Sequence, residues 1–109
     1  MNITEKETIF ESLKNSASQA CGLLKTLANE DRLMLLCQLT QGEKNVKELE
    51  LTTKVQQPTL SQQLTVLRDE NLVTTRKEGK YVFYQLASAE VLQIMKTLSG
   101  IYGCNTKSI

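Results

Sequence analysis

A mainly α domain with a small β-hairpin is the fold class that the sequence predicts, on three observations. Apolar residues recur at steps of three and four through most of the chain, the period changes to alternation around "KEGK", and capping residues or glycines fall between the segments. The 109 residues suffice for one domain, taken as residues 1–109, with a core small enough that a partner subunit would add to its stability.

The first helix is expected over residues 5–27, where Ile9, Leu13, Ala17, Ala20, Leu24 and Leu27 form one continuous stripe. "NEDRLMLLCQLTQGE" reads as the second. Asn29 can cap it, Glu30 and Asp31 suit its positive N-terminal end, and Gly42 marks its stop. "NVKELELTTK" is a third, short helix with Val46, Leu49 and Val55 turned inward. In "QQPTLSQQLTVLRDENLV", Pro58 suits the first turn of a fourth helix, and Leu60, Leu64 and Leu67 form an i, i+4, i+7 face. "LVTTRKEGKYVFYQL" then alternates as two short strands about a tight glycine turn, with basic residues at its tip. The helical period returns at Ser88. Val91, Leu92, Ile94, Met95, Leu98, Ile101 and Tyr102 cover more than one face of this fifth helix, so it needs more than one surface to pack on. With the long stripe of the first helix, this predicts a homodimer through residues 5–27 and 88–103.

Two short helices, the second polar on its outer side, followed by a basic hairpin give the order of a winged helix-turn-helix. The helix-turn-helix falls at about residues 45–70 and the wing at about 72–86. The net charge of +1 says little, but its distribution does: residues 1–50 hold six Lys/Arg against eight Asp/Glu, and residues 51–109 hold seven against four. Residues 51–68 contain no acid at all, so a polyanion could lie there without repulsion. Double-stranded DNA is the partner this implies. One helix fits the major groove, with residues near its N-terminus at base edges, while a hairpin reaches the neighbouring backbone. Gln57, Thr59, Ser61, Gln62 and Gln63 lie on or beside the outer face of the fourth helix, where Gln can pair with adenine and Ser or Thr can bond bases or phosphates. Lys54 and Arg68 flank the helix, and Arg76, Lys77 and Lys80 sit on the wing, positions suited to phosphate contacts. The plainer alternative is an ordinary solvated polar surface.

No stretch of eighteen apolar residues and no basic-then-apolar leader is present, so the expectation is a cytoplasmic protein without membrane attachment. Three cysteines in a reducing compartment are inert, metal-bound or redox-active rather than a disulfide framework, and the chain has no histidine, the commonest metal ligand. Cys37 sits inside the leucine run "LMLLCQL", where a free cysteine can simply fill a gap in a core. Cys21, between Ala20 and Gly22, suits close helix packing.

"LLKTLANEDRLMLLCQL", "QPTLSQQLTVLRDENLV" and "RKEGKYVFYQL" resemble, in order and spacing, the ArsR/SmtB family of winged-helix transcriptional repressors over roughly residues 20–104. The resemblance implies a homodimer of five helices and a wing whose fourth helix reads an inverted repeat in operator DNA. It also implies repression by promoter occupancy and release when an inducer binds. Many members bind metal through Cys-x-Cys on the helix that is "NVKELEL" here, or through Asp and His on the last helix; this chain has neither set, so no metal or other cofactor is expected at those positions. Cys37 and Cys104 instead fall where the BigR/SqrR-like branch, which senses sulfide and persulfide, carries its two functional thiols. The resemblance therefore implies a dithiol that reactive sulfur species convert to a disulfide or polysulfide bridge, with release of DNA and derepression of sulfide-detoxification genes. Gly100 and Gly103 loosen the helix end before Cys104, which makes Cys104 the more accessible thiol and Cys37 the more buried one. Two other readings remain open at this point. A thiol-only sensor of arsenite or Cu(I) needs cysteines alone. A small thiol redox enzyme would lack a histidine base and a Cys-x-x-Cys.

Overall fold

The computed structural model describes residues 3–103. In chain order these form α1 (Ile3–Lys14), α2 (Ala17–Leu27), α3 (Glu30–Leu39), β1 (Lys44–Asn45), α4 (Val46–Thr53), α5 (Thr59–Asp69), β2 (Val73–Glu78), β3 (Tyr81–Leu86) and α6 (Ala89–Leu98), closed by one π-helical turn at Ser99–Gly103. The architecture is mainly helical with a small antiparallel sheet, as the sequence predicts, and differs from expectation in two places.

The long first helix is two. It breaks at Ser16, whose φ of −124° and ψ of 17° leave the helical region. Ser16 Oγ donates to the Ser12 carbonyl at 3.2 Å, a side-chain bond of the kind by which serine competes with helical backbone bonding. The hairpin, in turn, belongs to a three-stranded sheet in the order β1-β3-β2, with Lys44 opposite Tyr84 and Asn45 opposite Phe83. A strand of two residues has no period to reveal it.

Within the hairpin Val73 pairs with Leu86 and Glu78 with Tyr81, so Gly79 and Lys80 alone make the turn. Gly79 has φ +63° and Lys80 is not among the positive-φ residues, the pattern of a type II′ turn that matches the twist of its strands.

Caps account for the helix starts. Asn29 Oδ1 accepts from the Arg32 amide at 3.0 Å at the head of α3. Asn45 and Glu48 form a reciprocal capping box on α4, each bond 2.8 Å. Leu60, Leu64 and Leu67, the inner face of α5, are all buried and join Leu35, Leu36 and Leu39 of α3 and Leu49 of α4 in one core. That contact seats α5 on α3 and leaves its other side to solvent.

Several apolar residues stay outside this core. Ile9, Phe10 and Leu13 of α1 are 46, 65 and 50 % exposed, and Ile101 and Tyr102 beyond α6 are 61 and 76 % exposed. Side chains of this size in water at both ends of the chain are a surface that association would cover. The small residues of α2 are not closely packed within the chain: Cys21 is exposed, and a Cβ built on Gly22 meets nothing within 4 Å. The reading of Cys21 as a packing residue is corrected accordingly for the single chain.

Candidate nucleic-acid interface and thiol site

The turn between α4 and α5 starts at Lys54, an exposed residue with φ +66° whose amide closes α4 by donating to the Glu50 carbonyl. Pro58, the last residue before α5, has no side-chain oxygen to cap the helix, and Gln57 takes over that work. Gln57 Oε1 accepts from the Ser61 backbone amide at 3.0 Å and from Ser61 Oγ at 2.7 Å. Gln57, Ser61, Gln62 and Arg68 are exposed and Thr59 is half-buried. Gln63 stands apart from the others: it is half-buried on the flank of α5 that faces α3, where its Oε1 accepts from an Arg32 guanidinium nitrogen at 3.0 Å.

Two further residues of the outer face were not singled out from the sequence. Thr65 and Val66 are exposed on α5. Thr65 follows Ser61 by four positions and Gln62 by three, so helical spacing alone places it beside them. Arg32 had no such signal, because its bond to Gln63 spans 31 residues.

On the wing the three basic residues have different surroundings. Arg76 donates from two nitrogens to Glu43 at 2.7 and 2.9 Å and from a third to Glu78 at 2.8 Å, and its guanidinium lies 4.6 Å from the Phe83 ring centroid. Its charge is already answered within the chain. The hydrogen bonds from Arg76, followed by its charge, hold the Glu43 carboxyl below the usual carboxylate range, and the two carboxylates in turn raise Arg76. Lys77 and Lys80 are exposed at and beside the turn, and with Lys54 and Arg68 they make no ion pair among the described residues. Of the five basic residues singled out on the helix-turn-helix and wing, these four therefore keep their charge for an external anion.

Cys37 is exposed, which corrects its expected burial. Leu35, Leu36 and Leu39 turn inward from α3, and the helical period carries Cys37 to the opposite side. There it lines an apolar groove of about 320 Å³ with Leu33, Met34, Met95, Leu98, Tyr102 and Gly103. The groove thus joins the middle of α3 to the end of the π-helical turn. Cys104, the other thiol singled out from the sequence, lies outside the described residues. Among those residues no group of three His, Cys, Asp or Glu is placed to hold a metal ion, and no helix is long and apolar enough to cross a membrane.

Comparison with known proteins follows the same residues. Residues 29–75, from the cap of α3 to the start of the wing, match the family model of bacterial regulatory proteins of the arsR family. The chain is 46 % identical over 96 residues to the biofilm growth-associated repressor of Agrobacterium fabrum, an alignment covering 88 % of this chain and 82 % of that protein. The chain belongs to the ArsR family. As an ArsR-family protein it is a DNA-binding transcriptional regulator; its relatives are regulators and not enzymes, and regulators of this family commonly act as dimers on operator DNA. A second relative, the transcriptional activator HlyU of Vibrio cholerae, is 45 % identical, with 94 % of this chain and 88 % of that one aligned. Among solved structures, the transcriptional repressor BigR from Xylella fastidiosa superposes on this ArsR-family fold with a TM-score of 0.82 at 44 % identity, covering 84 % of this chain and 94 % of that chain. The winged-helix reading of the sequence is thereby shown.

Proposed function

We propose that this ArsR-family chain is a cytoplasmic homodimeric repressor whose hold on operator DNA is set by the thiols of Cys37 and Cys104. The observation that carries this reading is the apolar groove: Cys37 and Gly103 line it together, and Gly103 is the residue that precedes Cys104. The inducer on this reading is a persulfide or polysulfide. One cysteine thiolate attacks the outer sulfur of a persulfide R–S–SH and expels RS⁻, leaving Cys–S–SH; the second thiol displaces hydrosulfide from it to give the disulfide, or a longer bridge where further sulfur has been added.

Release of DNA follows from where α3 is anchored. At its head Arg32 bonds Gln63 of α5, and beyond the loop that follows its end Glu43, at the entry to β1, bonds Arg76 of the wing, so one reading element is tied to the helix that carries Cys37 and the other to the segment that continues it. A link from Cys37 to the chain beyond α6 would shift α3 against these ties. In a dimer formed through α1, α2 and the turn beyond α6, where Ile9, Phe10, Leu13, Leu24, Ile101 and Tyr102 stand exposed in the single chain, that shift changes the angle between the two recognition helices. A tenfold to hundredfold loss of affinity corresponds to about 1.4 to 2.8 kcal/mol, inside the usual range of allosteric coupling. DNA contact is assigned to Lys54, Gln57, Thr59, Ser61, Gln62, Gln63 and Arg68 of the helix-turn-helix and to Lys77 and Lys80 of the wing, with Arg76 bracing the wing.

Intact mass measurement with fragmentation tests the thiol chemistry. The reduced protein is exposed in parallel to glutathione persulfide, glutathione disulfide and peroxide. A Cys37–Cys104 link, with added sulfur only from the persulfide, is expected. Unmodified thiols throughout would contradict the proposal and direct attention to thiophilic ions.

A further inference from the structure

The glutamines around the head of α5 look interchangeable in sequence and are not so in space. Arginine has five donors and no acceptor. The atom of Gln63 that faces Arg32 at 3.0 Å is therefore its oxygen. The same holds for Gln57, whose oxygen is drawn inward by a backbone amide, that of Ser61. Gln62 is exposed and makes no side-chain hydrogen bond among the described residues.

Arg32 is itself held rigidly. Its Nε donates to the Thr26 carbonyl at 2.6 Å and its other terminal nitrogen to the Lys25 carbonyl at 3.4 Å, both in the last turn of α2, where unpaired carbonyls and the helix dipole favour a cation. The guanidinium fork is planar, so fixing two of its directions fixes the third, which points at Gln63.

We infer that Arg32 is a specificity-determining positioning residue that locks Gln63 as a hydrogen-bond donor toward DNA. Reading adenine takes an amide that offers its oxygen to N6 and its NH2 to N7 side by side. With its oxygen drawn back to Arg32, Gln63 presents its NH2, which suits edges made of acceptors: guanine N7 and O6, or thymine O4. Gln62, with nothing holding its amide, is the glutamine free to pair with adenine. The inference rests on α5 being the DNA-reading helix.

The test uses a duplex selected by the wild-type protein from a random pool, then each single base-pair substitution of it, titrated with wild type, Gln63→Met, Gln62→Met and Arg32→Met. Gln63→Met should lose roughly tenfold discrimination at one base pair per half-site, where wild type prefers guanine or thymine on the contacted strand. Arg32→Met should move the preference at that same pair toward adenine, and Gln62→Met should lose discrimination at a different pair, one that carries adenine. Should Arg32→Met fail to fold, Gln63→Glu decides: it still accepts from Arg32 but has no outward donor, so it must lose the same discrimination without a fall in melting temperature. A wild-type preference for adenine at the Gln63-sensitive pair would overturn the inference. So would an equal weakening on every duplex, the mark of a phosphate contact or a merely structural role. Failure of the wild type to select any duplex would overturn the reading of α5 itself, and the inference with it.

Discussion

Glu43 and Arg76, 33 residues apart in sequence, are joined by two hydrogen bonds of 2.7 and 2.9 Å that tie the residue entering β1 to the wing strand β2. Arg76 holds the Glu43 carboxyl below its usual range. A carboxyl lowered by the native state stabilises that state above its unfolded value, and the contribution disappears as pH falls through the native value. The melting temperature of wild type should therefore exceed that of Glu43→Gln at neutral pH, and the two curves should converge between about pH 5 and pH 3. A gap that persists unchanged into acid would show that the pair does not hold the wing.

Adjacent residues on α5 should separate stability from recognition. Leu64 is 1 % exposed in the core, whereas Thr65 is exposed on the outer face. Leu64→Ala should cost about 2–5 kcal/mol in urea unfolding. Thr65→Ala should change stability by less than about 0.5 kcal/mol and weaken binding to the selected duplex. Equal losses of stability at both positions would mean that α5 does not lie on the core as described.

How much of this was legible beforehand depended on the distance over which each feature is determined. The inner face of α5 was readable because Leu60, Leu64 and Leu67 repeat within one helix, and Asn29 as a cap because it acts three residues away. The break at Ser16 was not, since the apolar stripe runs on across it and only a local side-chain bond to Ser12 interrupts the backbone. Two-residue β1 exists only through its pairing with β3. Cys37 was misjudged by its leucine neighbours in sequence; Leu36 beside it is fully buried, yet one step around a helix turns a side chain by about 100° and takes Cys37 out of the core. The ties from Arg32 to Gln63 and from Glu43 to Arg76 join residues more than thirty apart, and no periodicity encodes such pairs.

The exposed stripe of α1 should be the first casualty of a charge. Phe10 and Leu13 are 65 and 50 % exposed in the single chain. Leu13→Lys should convert a dimer to a monomer in sedimentation equilibrium while leaving the circular dichroism of the helices in place. A dimer that survives would move the interface elsewhere.

Lys77 and Lys80 carry the unanswered charge of the wing. Replacing each by Ala should weaken binding to every duplex alike and reduce the slope of log affinity against log salt by about 0.9 for each phosphate that is no longer neutralised in a half-site. Arg76→Lys keeps the positive charge and should leave that slope unchanged, but it loses the forked contact to Glu43 and Glu78 and should lower the melting temperature. A melting temperature equal to that of wild type would show that Arg76 does not brace the wing.

The central claim is that a thiol in the α3 groove controls DNA affinity, and one titration addresses it directly: fluorescence anisotropy of the selected duplex with reduced and with glutathione-persulfide-treated protein, for wild type and Cys37→Ser. Wild type should lose tenfold to hundredfold affinity on treatment, a change of about 1.4 to 2.8 kcal/mol, and Cys37→Ser should bind equally tightly before and after. Wild-type affinity that is the same in both states would contradict the claim.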